Sequence, residues 1–150
     1  MKEVFVFTDG SCYLNDSGRG GYGALLQFED VVKEIFGGYT HSTNNRMELL
    51  AVIKSLELLK EPCKVTIYSD SRYVTEAINR SWIYNWIKKD FKGIKNPDLW
   101  KMLLPQLKYH NVEFVWVKGH SGLCPGNTRA DELAEMGASS VDLIKDNVFT

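Results

Sequence analysis

Cysteine is scarce in this chain of 150 residues: Cys12, Cys63 and Cys124 are an odd number with no CxxC spacing. A disulfide framework and a structural zinc site are therefore excluded as organising devices. A reducing compartment fits, so the cytoplasm is the expected location. No apolar run nears the roughly 18 residues of a membrane span, which argues against a membrane partner. Too few apolar residues separate Met1 from Asp9 to make a secretory leader. The four prolines are scattered, and neither a linker nor an internal repeat interrupts the chain. One domain spanning 1–150 is expected, as a monomer, with enough residues to bury a continuous core. No serine or cysteine triad motif is present either.

Charge of one sign is also lacking, with 18 basic residues against 19 acidic and a formal net charge of −1. The balance is uneven along the chain. Residues 71–101 hold seven basic side chains (Arg72, Arg80, Lys88, Lys89, Lys92, Lys95 and Lys101) against Glu76, Asp90 and Asp98. An acidic body with a basic insert suits local binding of a polyanion, although a solvated lysine-rich loop has the same composition.

Apolar periodicity yields five strands, at residues 4–7, 22–29, 31–39, 65–68 and 112–117. The first is expected to end in a turn at Thr8-Asp9-Gly10-Ser11. Leu49, Val52, Ile53, Leu56 and Leu59 form one stripe on a helix over 42–60, capped by Thr43 or Ser42 and closed by Pro62. Two short helices follow at 71–79 and 81–86. Asn96-Pro97-Asp98 opens another, expected to stop or kink near Leu104 because Pro105 cannot continue it cleanly. A last helix spans about 128–137, after a Gly/Pro-rich loop at 119–126. Three strands in a run, then helix, strand, helices, strand and helix, imply an α/β fold: a five-stranded mixed sheet flanked by helices. Trp86 and Trp100 read as core residues, His41 and His110 as surface residues.

Asp9 and Asp70 each follow an apolar strand. As parallel neighbours, those strands would end about 4.8 Å apart, at the crevice where open α/β sheets bind ligands. Glu48 borders the apolar stripe of its helix. Asp131 borders the shorter stripe of Ala130, Leu133 and Ala134, and is the weakest placement of the four. Any one of these carboxylates alone reads more readily as a surface charge, Asp9 and Asp70 less so because each ends an apolar strand. Clustered, they would repel one another unless a cation neutralised them, and all-oxygen ligands suit Mg²⁺ or Mn²⁺. Such a site serves phosphodiester hydrolysis. Cys12 reads as a small packing residue rather than a nucleophile.

Several segments carry a specific resemblance. They are Phe7-Thr8-Asp9-Gly10-Ser11-Cys12, Gly20-Gly21-Tyr22-Gly23-Ala24, and Tyr39-Thr40 with Thr43-Asn44-Asn45-Arg46-Met47-Glu48-Leu49. Ser69-Asp70-Ser71, Trp116-Val117-Lys118-Gly119-His120-Ser121-Gly122, and Asn127 with Ala130-Asp131-Glu132-Leu133-Ala134 complete them. Over nearly its whole length the chain resembles type I ribonucleases H of the bacterial kind. The resemblance implies hydrolysis of the RNA strand in an RNA–DNA hybrid, leaving 5′-phosphate and 3′-hydroxyl ends. It implies Asp9, Glu48, Asp70 and Asp131 as ligands of two Mg²⁺ ions (Mn²⁺ being an alternative), with Asp9 between them. His120 would assist proton transfer or product release, since an imidazole can shuttle protons near neutral pH.

For the substrate, the resemblance implies that Gly10, Ser11, Cys12, Asn15, Asn44 and Asn45 face the minor groove, where 2′-hydroxyls distinguish RNA from DNA. Asn15 and Asn44 also suit capping and turn formation. Thr43 and Asn85 would hold a DNA phosphate and Trp82 would face DNA sugars. Lys88, Lys89, Lys92 and Lys95 would form a basic protrusion. The chain departs from the family pattern in three places: that protrusion is shortened, Arg72 stands among the substrate-binding residues where glutamine is expected and alters the minor-groove contacts, and the loop 122–126 differs. A transposase- or integrase-like catalytic core and a noncatalytic hybrid-binding module are the competing readings. The first usually needs additional DNA-binding domains, and the second would be expected to lack a carboxylate.

Overall fold

Strand β1 (Lys2–Tyr13) is the centre of the molecule, in a computed structural model that describes residues 1–13, 17–140 and 143–146. It pairs antiparallel with β2 (Arg19–Phe28), which in turn pairs antiparallel with β3 (Val31–Thr40). On its other side it pairs parallel with β4 (Cys63–Ser69), as Asp9 and Asp70 require if they are to meet. Parallel β5 (Asn111–Trp116) closes that edge. Among the described residues the sheet has six strands in the order β5-β4-β1-β2-β3-β6, where five were expected. The additional β6 (Ile144–Lys145) is a two-residue parallel partner of Tyr39 and Thr40, too short to leave a periodic pattern.

The expected turn at residues 8–11 is instead the middle of β1. Pairing with β4 stops at Thr8 and Ser69, whereas pairing with β2 runs on to Tyr13 and Arg19. Gly10, which reads locally as a turn residue, is there for another reason. A Cβ on it would lie 2.4 Å from the backbone nitrogen of Glu48.

Helix α1 (Asn44–Glu57) covers one face of the sheet. Thr43 caps it, its hydroxyl accepting from the Arg46 amide at 3.3 Å, and the helix ends before Pro62 comes into play. Met47, Leu49, Val52, Ile53 and Leu56 are buried against Val4, Val6, Leu26, Val65 and Ile67. Helices α2 (Arg72–Asn79), α3 (Trp82–Lys88) and α4 (Pro97–Tyr109) extend this layer. Trp100 is fully buried and Trp86 meets it edge-on at 5.2 Å, both as core residues. Pro105 does not end α4, which continues to Tyr109. Pro105 and Lys101 are both exposed, so the carbonyl that loses its amide partner is on the solvent side, where water replaces it.

Helix α5 (Pro125–Ala138) packs on the opposite face. It starts three residues before its expected position because Pro125 occupies the first helical position, where its missing N–H costs nothing. Gly21, Gly23 and Gly38 leave no room for a Cβ beneath it. His41 is exposed as expected. His110, expected at the surface, is buried, and its Nδ1 accepts from the Cys63 amide at 3.1 Å.

One buried cation anchors the start of α1. Arg46 donates to both carboxylate oxygens of Asp98 on α4 (2.9 and 2.8 Å) and to both of Asp146 just after β6 (2.8 and 3.0 Å). Ser42 Oγ adds a bond to Asp146 at 2.7 Å. The first turn of α1, just ahead of Glu48, is thereby tied to α4 and to the segment after β6.

Candidate active site

Where β1 outruns β4, the side chain of Asp9 emerges at the end of the parallel pair, one residue beyond the last β1–β4 register position. Asp70 follows the final residue of β4, and Glu48 reaches the same point from the second turn of α1. Each of the three offers a carboxylate oxygen, and these oxygens lie within 4.8 Å of one another. Asp9 and Glu48 are only 5% and 8% exposed. Asp131 on α5 does not join within that distance. It lines the same cleft, close enough for its side chain to interact with that of Asp9, and lies 3.5 Å from Nδ1 of His120. The His120 side chain is 78% exposed, and its backbone is in the left-handed region at φ 54°.

The electrostatics of this cluster are those of carboxylates without enough compensation. Burial is the main force pushing the Asp9 carboxyl up to about 8. The Asp70 charge and the Asp131 side chain add to it, while a hydrogen bond with Glu48 and the Gly10 amide (2.9 Å) oppose it. Glu48 is likewise pushed well above the ordinary carboxylate range, first by burial and then by the Asp9 charge. Its Oε1 is buried without a hydrogen-bond partner. A buried carboxylate oxygen lacking a donor is costly unless a cation completes it. The donor set is all oxygen, so the residues fit a hard divalent ion.

The cleft measures about 480 Å³. Gly10, Ser11, Cys12, Asn44 and Asn45 line it beside the carboxylates. Cys12 Sγ points to the Ser42 and Gly18 carbonyls at 3.3 and 3.5 Å, a packing arrangement, and burial pushes the thiol up. Asn15 lies outside the described residues. Thr43 spends its hydroxyl on the helix cap. Outside the cleft, Trp82, Asn85 and Lys88 lie on exposed positions of α3, Lys89 caps its C-terminus, and Lys92 and Lys95 lie in the connection to α4. Arg72 opens α2, its guanidinium 4.2 Å from the Trp116 ring centre.

Three lining residues escaped the sequence reading: Tyr13, Ser71 and Glu135. Glu135 follows Asp131 by four residues, a spacing that places both on one helix face and could have revealed it. Tyr13 was hidden by the expectation that β1 stops at residue 7.

A mixed sheet with carboxylates gathered where its central parallel strands end defines a class of phosphodiester-cleaving enzymes, and the comparisons agree. The RNase H family model matches residues 1–139. A ribonuclease H of Nitratidesulfovibrio vulgaris is 47% identical over 99% of this chain and 97% of its own length. A ribonuclease HI of Helicobacter pylori is 49% identical over 92% of this chain and 94% of its own. Among solved structures, LC9-RNase H1, a type 1 RNase H with the type 2 active-site motif, superposes with a TM-score of 0.85 at 28% identity, covering 99% of this chain and 80% of that one. The prototype foamy virus protease–reverse transcriptase gives 0.82 at 26% identity, over 95% of this chain and 21% of that one. The chain belongs to the RNase H family, as a nuclease of the bacterial ribonuclease HI kind. No helix among the described residues is long and apolar enough to cross a membrane.

Proposed function

We propose that this chain, as a single domain and a monomer in the cytoplasm, hydrolyses the RNA strand of RNA–DNA hybrids, leaving 5′-phosphate and 3′-hydroxyl ends. The observation that carries the proposal is the convergence of Asp9, Glu48 and Asp70 within 4.8 Å, with Glu48 Oε1 buried and unpartnered. Asp9, Glu48, Asp70 and Asp131 would hold two divalent ions, Mg²⁺ or Mn²⁺, with Asp9 shared between them. When bound, such ions supply Lewis acidity that activates water on one side of the scissile phosphate and stabilises the departing 3′ oxygen on the other.

The remaining work falls to the chain itself. Asp131, beside His120 Nδ1, gives the imidazole a partner at that atom. His120 is exposed at the mouth of the cleft, so Nε2 is free to take up or release a proton as product leaves. Asn44, Asn45 and the Gly10-Ser11-Cys12 segment line the cleft and read the minor-groove edge with its 2′-hydroxyls. Trp82 and the α3 lysines hold the DNA strand, with Asn85 and Thr43 at one phosphate.

The test is a duplex with labelled RNA and DNA strands, incubated with Mg²⁺ or with EDTA. Metal-dependent RNA cleavage with 5′-phosphate products is expected. Binding without cleavage, or joining of strands, would overturn the reading.

A further inference from the structure

The carboxylate at position 70 is held from behind by β5 and the loop that follows it. Trp116, the last residue of β5, pairs in register with Ser69 and donates its indole N–H to the carbonyl of Asp70 at 3.0 Å. The Val117 amide bonds to the Ser69 carbonyl at 2.9 Å, so two successive carbonyls at the end of β4 are tied to consecutive residues at the end of β5. Three residues beyond Trp116, the backbone of Gly119 presses so closely on Asp70 that a Cβ there would lie 2.4 Å from Asp70 Oδ2. On the Trp116 ring rests the Arg72 guanidinium.

The Asp70 carbonyl lies where β4 has stopped and α2 has not begun, outside both ladders. The indole is the donor that satisfies it. The other end of the same peptide unit is held by the Ser71 N–H, which donates to Ser69 Oγ at 3.1 Å, so the indole closes the second end. Without it the Asp70–Ser71 turn and the Gly119 backbone beside Oδ2 are free to shift relative to Asp9 and Glu48. Ligating carboxylates depend on the groups that orient them.

We infer that Trp116 is a positioning residue of the active site, whose indole N–H fixes the Asp70 carboxylate in the geometry the metal-binding cluster requires. The inference rests on the function proposed above. Trp116 does not itself line the cleft, and its bond to Asp70 is to the backbone carbonyl rather than the carboxylate. Its effect passes through the Asp70 peptide unit, so it belongs with metal affinity and the chemical step rather than with hybrid binding.

Trp116→Phe removes the N–H and keeps an aromatic face for Arg72. Two readouts separate positioning from bulk stability. The first is the Mn²⁺ concentration at which the melting temperature of the free protein rises half-maximally. The second is the split between kcat and KM on a hybrid substrate. The midpoint is expected to move up about tenfold and kcat to fall by about the same factor, with KM for the hybrid unchanged. β-(3-Benzothienyl)alanine at position 116 keeps the bicyclic ring and replaces only the N–H. It is expected to reproduce both effects, and it keeps the test decisive if the phenylalanine variant fails to fold. A wild-type Mn²⁺ midpoint in the benzothienyl variant, or a melting temperature lowered equally with and without Mn²⁺, would overturn the inference. Failure of the wild-type chain to cleave hybrids would instead overturn the proposed function, and the Mn²⁺ midpoint would still judge the role of Trp116.

Discussion

Gly10 of β1 and Glu48 of α1 touch backbone to backbone: a Cβ on Gly10 would fall 2.4 Å from the Glu48 nitrogen and 2.5 Å from the Met47 carbonyl carbon. That approach seats α1 deeply enough for Glu48 to reach Asp9. Gly10→Ala must push the helix away. The expected result is a stability loss of about 1–3 kcal/mol, the usual cost of overpacking, together with a fall in kcat beyond tenfold. Thermal melting and steady-state kinetics on the same preparation measure both. An alanine variant with wild-type kcat would show that the helix seat does not control Glu48.

Asp70→Asn is expected to abolish cleavage while leaving hybrid binding in Ca²⁺ intact. The same variant relieves like-charge repulsion within the cluster. It should therefore raise stability in EDTA, by on the order of 1 kcal/mol, and reduce the further gain on adding Mg²⁺. Denaturant melts with and without metal check the second point, and retained cleavage would count against the proposed ligation.

His110 makes a prediction about pH, away from the site. Burial holds its imidazole below the usual value, and Nδ1 accepts from Cys63 N–H at 3.1 Å, so the folded state keeps the ring neutral. An unfolded histidine titrates near about 6.5. Above that value the stabilisation is complete. As pH falls below it, the unfolded chain takes up a proton that the native ring resists, and stability declines through the depressed folded pKa. His110→Gln, whose amide oxygen remains an acceptor for Cys63, should flatten that decline. Melting temperatures of both proteins from pH 8 to pH 5 provide the comparison, and parallel curves would refute the assignment.

Replacing Lys88, Lys89, Lys92 and Lys95 together with alanine should raise KM for the hybrid, leave kcat nearly unchanged and reduce the slope of log affinity against log salt. All four lie outside the cleft, on α3 or in the connection to α4. An unchanged salt slope would remove this protrusion from substrate binding.

The amphipathic stripe of α1, the Thr43 cap and the adjacency of two carboxylate-terminated strands were all legible in the order of residues, because each rests on local periodicity or on one parallel pairing. The extension of β1 to Tyr13 was not, since a Thr-Asp-Gly-Ser segment looks like a turn until β2 is beside it. The burial of His110, the two-residue β6, and the Arg46 ties to Asp98 and Asp146 join residues from 47 to 105 positions apart, by contacts that no local pattern encodes. The Trp116 tie to Asp70 belongs with them.

Residue order determined by itself the family, the element sequence through α5 and which acidic side chains follow apolar strand segments or border apolar stripes, since side-chain chemistry and backbone period act over a few neighbours. Only the tertiary structure decided how far β1 outruns β4, that Asp9, Glu48 and Asp70 close to within 4.8 Å with Asp131 beside both Asp9 and His120, and what props Asp70 from behind. Those outcomes depend on strand register and on how closely α1 and α5 settle against glycines of the sheet. Both are set by packing between segments that are remote in the chain.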